Sequence, residues 1–265
     1  MRIEHNLNPE FLRRPISMTI VGAGGSGSAF LLQLPYLHQA LLTWGHPYGL
    51  DVTVMDADSV SSTNCVRQPF SHSDIGQNKA TVLVSRLNAF WGLRWKVTPE
   101  FFARDHLRKS DVKCKILVGC VDTRAARREI AAAVTQPSDM TPYWLDLGNN
   151  ASTGQFVLGQ PHNHWNKASK ERLRTVAELF PEILAKSEDA LPSCSAAESL
   201  ERQEPFVNQM LATASLAMIT RLLRYGRISH QGGFWNAATG QIVPIAIDPD
   251  KFARLRRRES RRMAA

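Results

Sequence analysis

Gly22, Gly24 and Gly27 form a GxGxxG run, directly after an apolar stretch and directly before a leucine-rich one. That spacing suits a phosphate. The first glycine permits a tight turn, the second lets backbone approach the anion, and the third lets helix pack on strand. The helix start behind it offers unbonded amides to negative charge. Farther on, DVTVMDAD (51–58) ends in carboxylates, and Asp56 is placed to accept the ribose hydroxyls of a nucleotide. Asp56 lies 29 residues beyond Gly27, against a usual spacing of about 20. The excess falls in PYLHQALLTWGHPYG, read as an insertion between helix and strand. Asp58 is read as capping the loop that follows.

That loop, TNCVRQ (63–68), adds Asn64, Arg67 and Gln68, and the next helix opens near Lys79. Two cations and an amide beside a glycine loop favour a triphosphate over a dinucleotide, whose pyrophosphate is held by amides and the helix dipole. A reaction that expels pyrophosphate needs positive charge where negative charge builds up. Asp122 follows the apolar run CKILVGCV (114–121), with a helix immediately after. It is placed either to cap that helix or to hold Mg²⁺ together with phosphate oxygens. Its place on the ligand-facing rim favours the metal.

The elements that must position these residues follow from the apolar pattern. Strands are expected at 17–22, 51–58, 93–102, 114–122, 142–150 and 154–160, and a terminal hairpin at 234–247 around Thr239-Gly240. Helices are expected from about 27, with a kink at Pro35, from about 77, over 123–134 and over 204–225. Strand and helix alternate through the first half, which implies parallel strands with helices on both faces. Ligands of such sheets sit outside the carboxyl ends of the strands, where Gly22–Gly27, Asp56 and Asp122 fall. The weaker stretch from 161, with one helical segment near 167–187, is expected to be an excursion over that same rim.

The chain has 265 residues, enough to bury a full core. Its 43% hydrophobic and 21% charged residues exclude a disordered chain. No apolar run reaches the roughly 18–20 residues that span a bilayer, and the N-terminus lacks a signal-peptide core, so a cytoplasmic protein without membrane contact is expected. The net charge is +8, of which Arg254–Arg262 (RLRRRESRR) supplies +5. This tail could touch nucleic acid or an acidic lipid, but a solvated helix end is the expectation. The four cysteines, 65, 114, 120 and 194, contain no CxxC pair. Neither zinc nor a disulfide framework is expected, and a cysteine that matters would act as a single thiol.

GAGGSGS, DADSVSSTNCVRQ, DIGQNKA and VDTRAAR, in this order, resemble the ThiF/MoeB/E1 superfamily of ATP-dependent activators of ubiquitin-like and sulfur-carrier proteins. Within it the sequence is most similar to the ThiF-related protein of bacterial PRTRC cassettes. The resemblance implies a Rossmann-like, doubly wound α/β sheet, parallel in its first half with antiparallel strands added, plus a C-terminal helix and hairpin. It implies one adenylation domain over 1–265, with a crossover loop at about 161–203 and a basic tail at 254–265. It gives Gly22, Gly24 and Gly27 to the ATP phosphates, Asp56 to ribose, Asn64, Arg67 and Lys79 to phosphates, Asp122 to Mg²⁺, and a structural place to Arg127. Members that form a thioester use a cysteine in the crossover loop, which here is Cys194, in polar, small-residue surroundings. A homodimer is implied, with Arg13 and Arg14 as candidates to reach a partner's active site. The implied reaction is adenylation of a small protein's C-terminal carboxylate. The rivals are an NAD(P)-dependent oxidoreductase, which leaves Lys79 and Arg67 without a task, and a non-catalytic nucleotide-binding scaffold.

Overall fold

The computed structural model describes residues 3–109, 114–167, 172–185, 204 and 206–248. Cys194 and the Arg-rich tail lie outside the described residues.

The sheet is built around β2 (Ile16–Val21) and β5 (Ile116–Gly119), both nearly or wholly buried along their length. Continuous apolar runs of this kind require cover on both faces. β2 pairs in parallel with β3 (Leu50–Met55) on one side and with β5 on the other. β4 (Lys96–Thr98) extends the β3 side, and β6 (Tyr143–Asn149) the β5 side, both in parallel. The antiparallel strands β7 (Thr153–Gly159), β9 (His230–Asn236) and β10 (Gln241–Ala246) follow, giving the order β10-β9-β7-β6-β5-β2-β3-β4. Two short strands, β1 (His5–Asn6) and β8 (Arg227–Ile228), form a separate antiparallel pair.

Helices α1 (Gly25–Thr43), α3 (Lys79–Trp91) and α7 (Val207–Tyr225) bury Phe30, Leu34, Leu83, Leu211 and Ile219 in one core. On the opposite face, α5 (Arg124–Val134) and the short α6 (Val176–Leu179) enclose Leu117, Ile130, Trp144 and Val157 in a second. The sheet is therefore doubly wound, as expected. Two small helices, α2 (Asn64–Arg67) and α4 (Asp105–Lys109), complete the described set. Among the described residues no helix is long and apolar enough to cross a membrane.

Three expectations change. The strand at 93–102 contracts to the three residues of β4. The supposed insertion after Pro35 is mostly the continuation of α1, which runs through Pro35 to Thr43. Within the expected helical segment near 167–187, the described residues hold the short α6 and a 3-10 turn at Pro181–Leu184.

The excursion from 161 also starts at the other rim. β7 runs antiparallel, so its end, Gly159, lies beside Trp144 near the start of β6. Asn163 there donates to the carbonyls of Val134 and Thr141. The chain then runs back along α5, where Arg128 donates to the carbonyls of Leu184 and Ala185.

Candidate functional site

The strand order reverses at β2, between β3 and β5, and open α/β sheets bind ligands beyond the carboxyl ends of their strands at such a point. The glycine loop occupies that crevice. Gly22 leaves β2 with φ +96°, and a Cβ there would lie 2.6 Å from the Cys120 carbonyl oxygen at the end of β5. A Cβ on Gly27 would lie 1.9 Å from the Gly22 carbonyl oxygen. Around Gly24 there is nothing within 4 Å of the Cβ position. The first glycine makes the turn, the third seats α1 on the loop, and the second faces open space that a phosphate can fill.

Gly27→Ala is expected to unseat α1, because the obstructing atom is backbone and cannot move aside. Overpacking of this kind costs about 1–3 kcal/mol or more. Thermal denaturation should show the loss, together with weaker ATP binding. A variant with an unchanged melting temperature and ATP affinity would contradict the seating.

Asp56 follows β3 and is only 9% exposed. Its carboxylate accepts from the Ala23 amide at 2.5 Å and the Asp58 amide at 2.7 Å. Burial raises its pKa despite these bonds. Asp56 thus braces the glycine loop, and a carboxylate has further lone pairs for a ribose hydroxyl.

Lys79 opens α3, is 8% exposed, and places Nζ 3.0 Å from Asp58 Oδ2. Asp58, expected to serve as a loop cap, instead holds this lysine. Asn78, unforeseen from the sequence, sets the junction. Its Oδ1 accepts from the Thr81 amide as the N-cap, and its Nδ2 donates to the carbonyls of Asp56 and Asp58. The loop before α3 carries α2, with Asn64 Oδ1 accepting from the Ser61 amide. Arg67 ends α2 half-buried, and burial lowers its guanidinium pKa.

Asp122 is exposed beyond the end of β5. It does not cap α5; Thr123 does, accepting from the Ala126 amide at 3.2 Å. The Asp122 carboxylate makes no hydrogen bond or ion pair among the described residues. Arg127 donates to the Val121 carbonyl at 2.8 Å and pairs through Nε with Asp146, which is 0% exposed, at 3.1 Å. Its structural place is thus visible, and it steadies the residue preceding Asp122.

No cluster of three or more metal-ligating side chains occurs among the described residues. A single free carboxylate at the rim does fit Mg²⁺, which commonly binds through one or two carboxylates with phosphate oxygens completing its shell. Burial pushes the Cys114 thiol up to about 11 and raises that of Cys120 as well, so neither is a nucleophile at neutral pH. Cys65 is partly exposed, with Sγ 3.7 Å from the Ser61 carbonyl oxygen.

The sequence also gave no sign of a polar cluster at the start of α1. Ser26 Oγ donates to Asn208 Oδ1 at 2.8 Å and lies 3.4 Å from Asn149 Oδ1. These residues come from α1, α7 and β6.

A doubly wound sheet with a glycine loop at its switch point, a buried lysine and a rim carboxylate is an arrangement of the kind on which α/β proteins bind nucleotides. The sequence profile of the ThiF family matches residues 11–243, and the chain belongs to that family. Its members are generally adenylyltransferase-like activating enzymes that use ATP with Mg²⁺ and act on ubiquitin-like or sulfur-carrier proteins. Among solved structures, the chain is similar to that titled "Crystal Structure of SeMet PaaA", with TM-score 0.59 and 14% identity. The match covers 90% of this chain and 65% of that one, so the chain spans just under two thirds of that protein's length. No curated protein sequence matches the chain.

Proposed function

We propose that this protein is a cytoplasmic enzyme that adenylates the C-terminal carboxylate of a small ubiquitin-like or sulfur-carrier protein, with residues 1–265 as one adenylation domain. The observation that carries this reading is the joining of the glycine loop to Lys79. Asp56 holds the loop, and Asp58, two residues on, holds the lysine.

In the proposed reaction a carboxylate oxygen of the partner attacks the α-phosphorus of ATP. The bond between the α-phosphorus and the bridging oxygen breaks, and pyrophosphate leaves, giving an acyl-adenylate. The loop amides, Arg67, Lys79 and Asn64 bind and orient the phosphates, and Asp56 binds ribose. Asp122 would hold Mg²⁺, which supplies charge neutralisation at the phosphates. No side chain acts as nucleophile in this step, so catalysis is positioning and electrostatics.

We extend the proposal to a transfer in which the Cys194 thiolate attacks the acyl carbon and AMP departs. The likeness to the ThiF-related protein of PRTRC cassettes and a homodimer complete the reading. The tail is proposed as peripheral to catalysis.

The test is ATP–pyrophosphate exchange with candidate small-protein partners, with mass spectrometry for the adenylate. Asp122→Asn is expected to lose most exchange, with partial recovery at raised Mg²⁺. Tight nicotinamide-dinucleotide binding with none for Mg-ATP would overturn the adenylation reading.

A further inference from the structure

The glycine loop is approached from an unexpected side. Asn208, in the first turn of α7, is 8% exposed, and its amide lies against Gly25. A Cβ on Gly25 would fall 2.6 Å from Asn208 Nδ2, so the amide occupies the place of a side chain at the start of α1. Its Oδ1 accepts from Ser26 Oγ at 2.8 Å, which orients the group. The Nδ2 hydrogens have no acceptor among the described residues.

This free donor is not sealed from solvent, so a ligand can reach it, and it stands beside the unbonded amides of a 19-residue helix whose N-terminus favours an anion. Next to it, Gly24 faces open space. The entry to α7 is also a particular backbone state. Phe206, its N-cap, has φ 71°, the only non-glycine residue with positive φ among the described residues.

We propose that Asn208 is a phosphate-binding residue: its Nδ2 donates to the nucleotide's phosphate chain and closes the glycine cradle from the α7 side. α7 is the element that the crossover segment runs into. Asn208 therefore links phosphate occupancy to the end of that segment, and a bound triphosphate holds the start of α7 against α1. This inference rests on the adenylation reading above, because it requires a phosphate ligand at the loop.

Aspartate at 208 separates a donor to phosphate from a brace for Ser26. Asn208→Asp keeps an acceptor for the Ser26 hydroxyl but replaces the donor with a negative charge. Asn208→Ala removes both. Calorimetry with Mg-ATP, inorganic pyrophosphate and adenosine, alongside melting temperatures, reads the difference.

The expected result is a loss of ATP and pyrophosphate affinity of about tenfold in Asn208→Ala and about a hundredfold in Asn208→Asp. Adenosine affinity should stay within about twofold, because no phosphate is involved. If Asn208→Asp binds ATP as the wild type does, or if Asn208→Ala loses nothing, Asn208 is only a brace and the inference is overturned. If Asn208→Ala fails to fold, the aspartate variant decides alone. If the wild type binds adenosine but neither ATP nor pyrophosphate, the adenylation reading itself fails, and this inference with it.

Discussion

Lys79→Ala and Arg67→Ala are each expected to lower adenylate formation by about tenfold to a thousandfold while the fold survives. Removing one preorganised donor from a site of developing charge typically costs about 2.7–4 kcal/mol in the transition state. Lys79 is set for that work: its stem is buried, its helix start is pinned by Asn78, and its Nζ is held by Asp58. Little stability should be lost with it, because Asp58 is 54% exposed and ion pairs with such partners contribute about 0–1 kcal/mol. Single-turnover adenylate yield, read beside the melting temperature, separates the two effects. Normal adenylation by both variants would make these residues a solvated face and the phosphate assignment wrong.

Arg127→Met should instead damage stability. Asp146 is fully buried, and Arg127 is its ion-pair partner. Removing one member of a buried pair strands the other, at a cost of about 3–5 kcal/mol. Burial already raises the Asp146 pKa, with Arg127 opposing that rise. Without the arginine the folded-state pKa climbs further above the unfolded value of about 3.9.

A carboxyl whose folded pKa is raised binds more protons in the folded state, so it stabilises the fold at low pH. That contribution is lost as pH rises through the window between the unfolded and folded values. The deficit of Arg127→Met relative to wild type should therefore be largest near neutrality and shrink as the pH falls towards about 4. Urea denaturation across that range checks it. A deficit independent of pH would mean that the arginine acts through packing alone. Arg127→Met combined with Asp146→Leu should recover much of the loss, since well-packed apolar residues replace buried ion pairs at little cost.

The glycine loop was legible in the sequence because its three requirements are steric and local. The spacing of Gly22, Gly24 and Gly27 already states which backbone turns, which approaches a ligand and which packs. The parallel half of the sheet was legible because buried strands alternate with helical periods. The direction of β7 was legible too, since the three residues between the expected strands at 142–150 and 154–160 permit only an antiparallel return, yet the expectation for the stretch from 161 left it out. That single reversal moves residues 161–167 to the far rim. Asn208 and Asn149 were invisible for another reason. They reach Ser26 across 182 and 123 residues of chain, and no local pattern records such a meeting. Asn78 did leave a trace, as an asparagine placed just before an apolar helical period, where N-caps belong. Asp58 was misjudged because its partner is fixed by how α3 docks on β3, not by anything in the loop itself.

On the proposed reading, the pairing of Lys79 with Asp58 also makes the resting site an ion exchanger. The lysine's counterion is already in place, tethered to the same chain. A small anion from solution, a chloride or a single phosphate, must displace or share that carboxylate for one contact in return. A triphosphate that also engages the glycine loop offers several contacts at once. On the proposed reading Asp58 adds a small preference, no larger than the about 0–1 kcal/mol of such an exposed pair, for a ligand with several contacts over a stray anion with one.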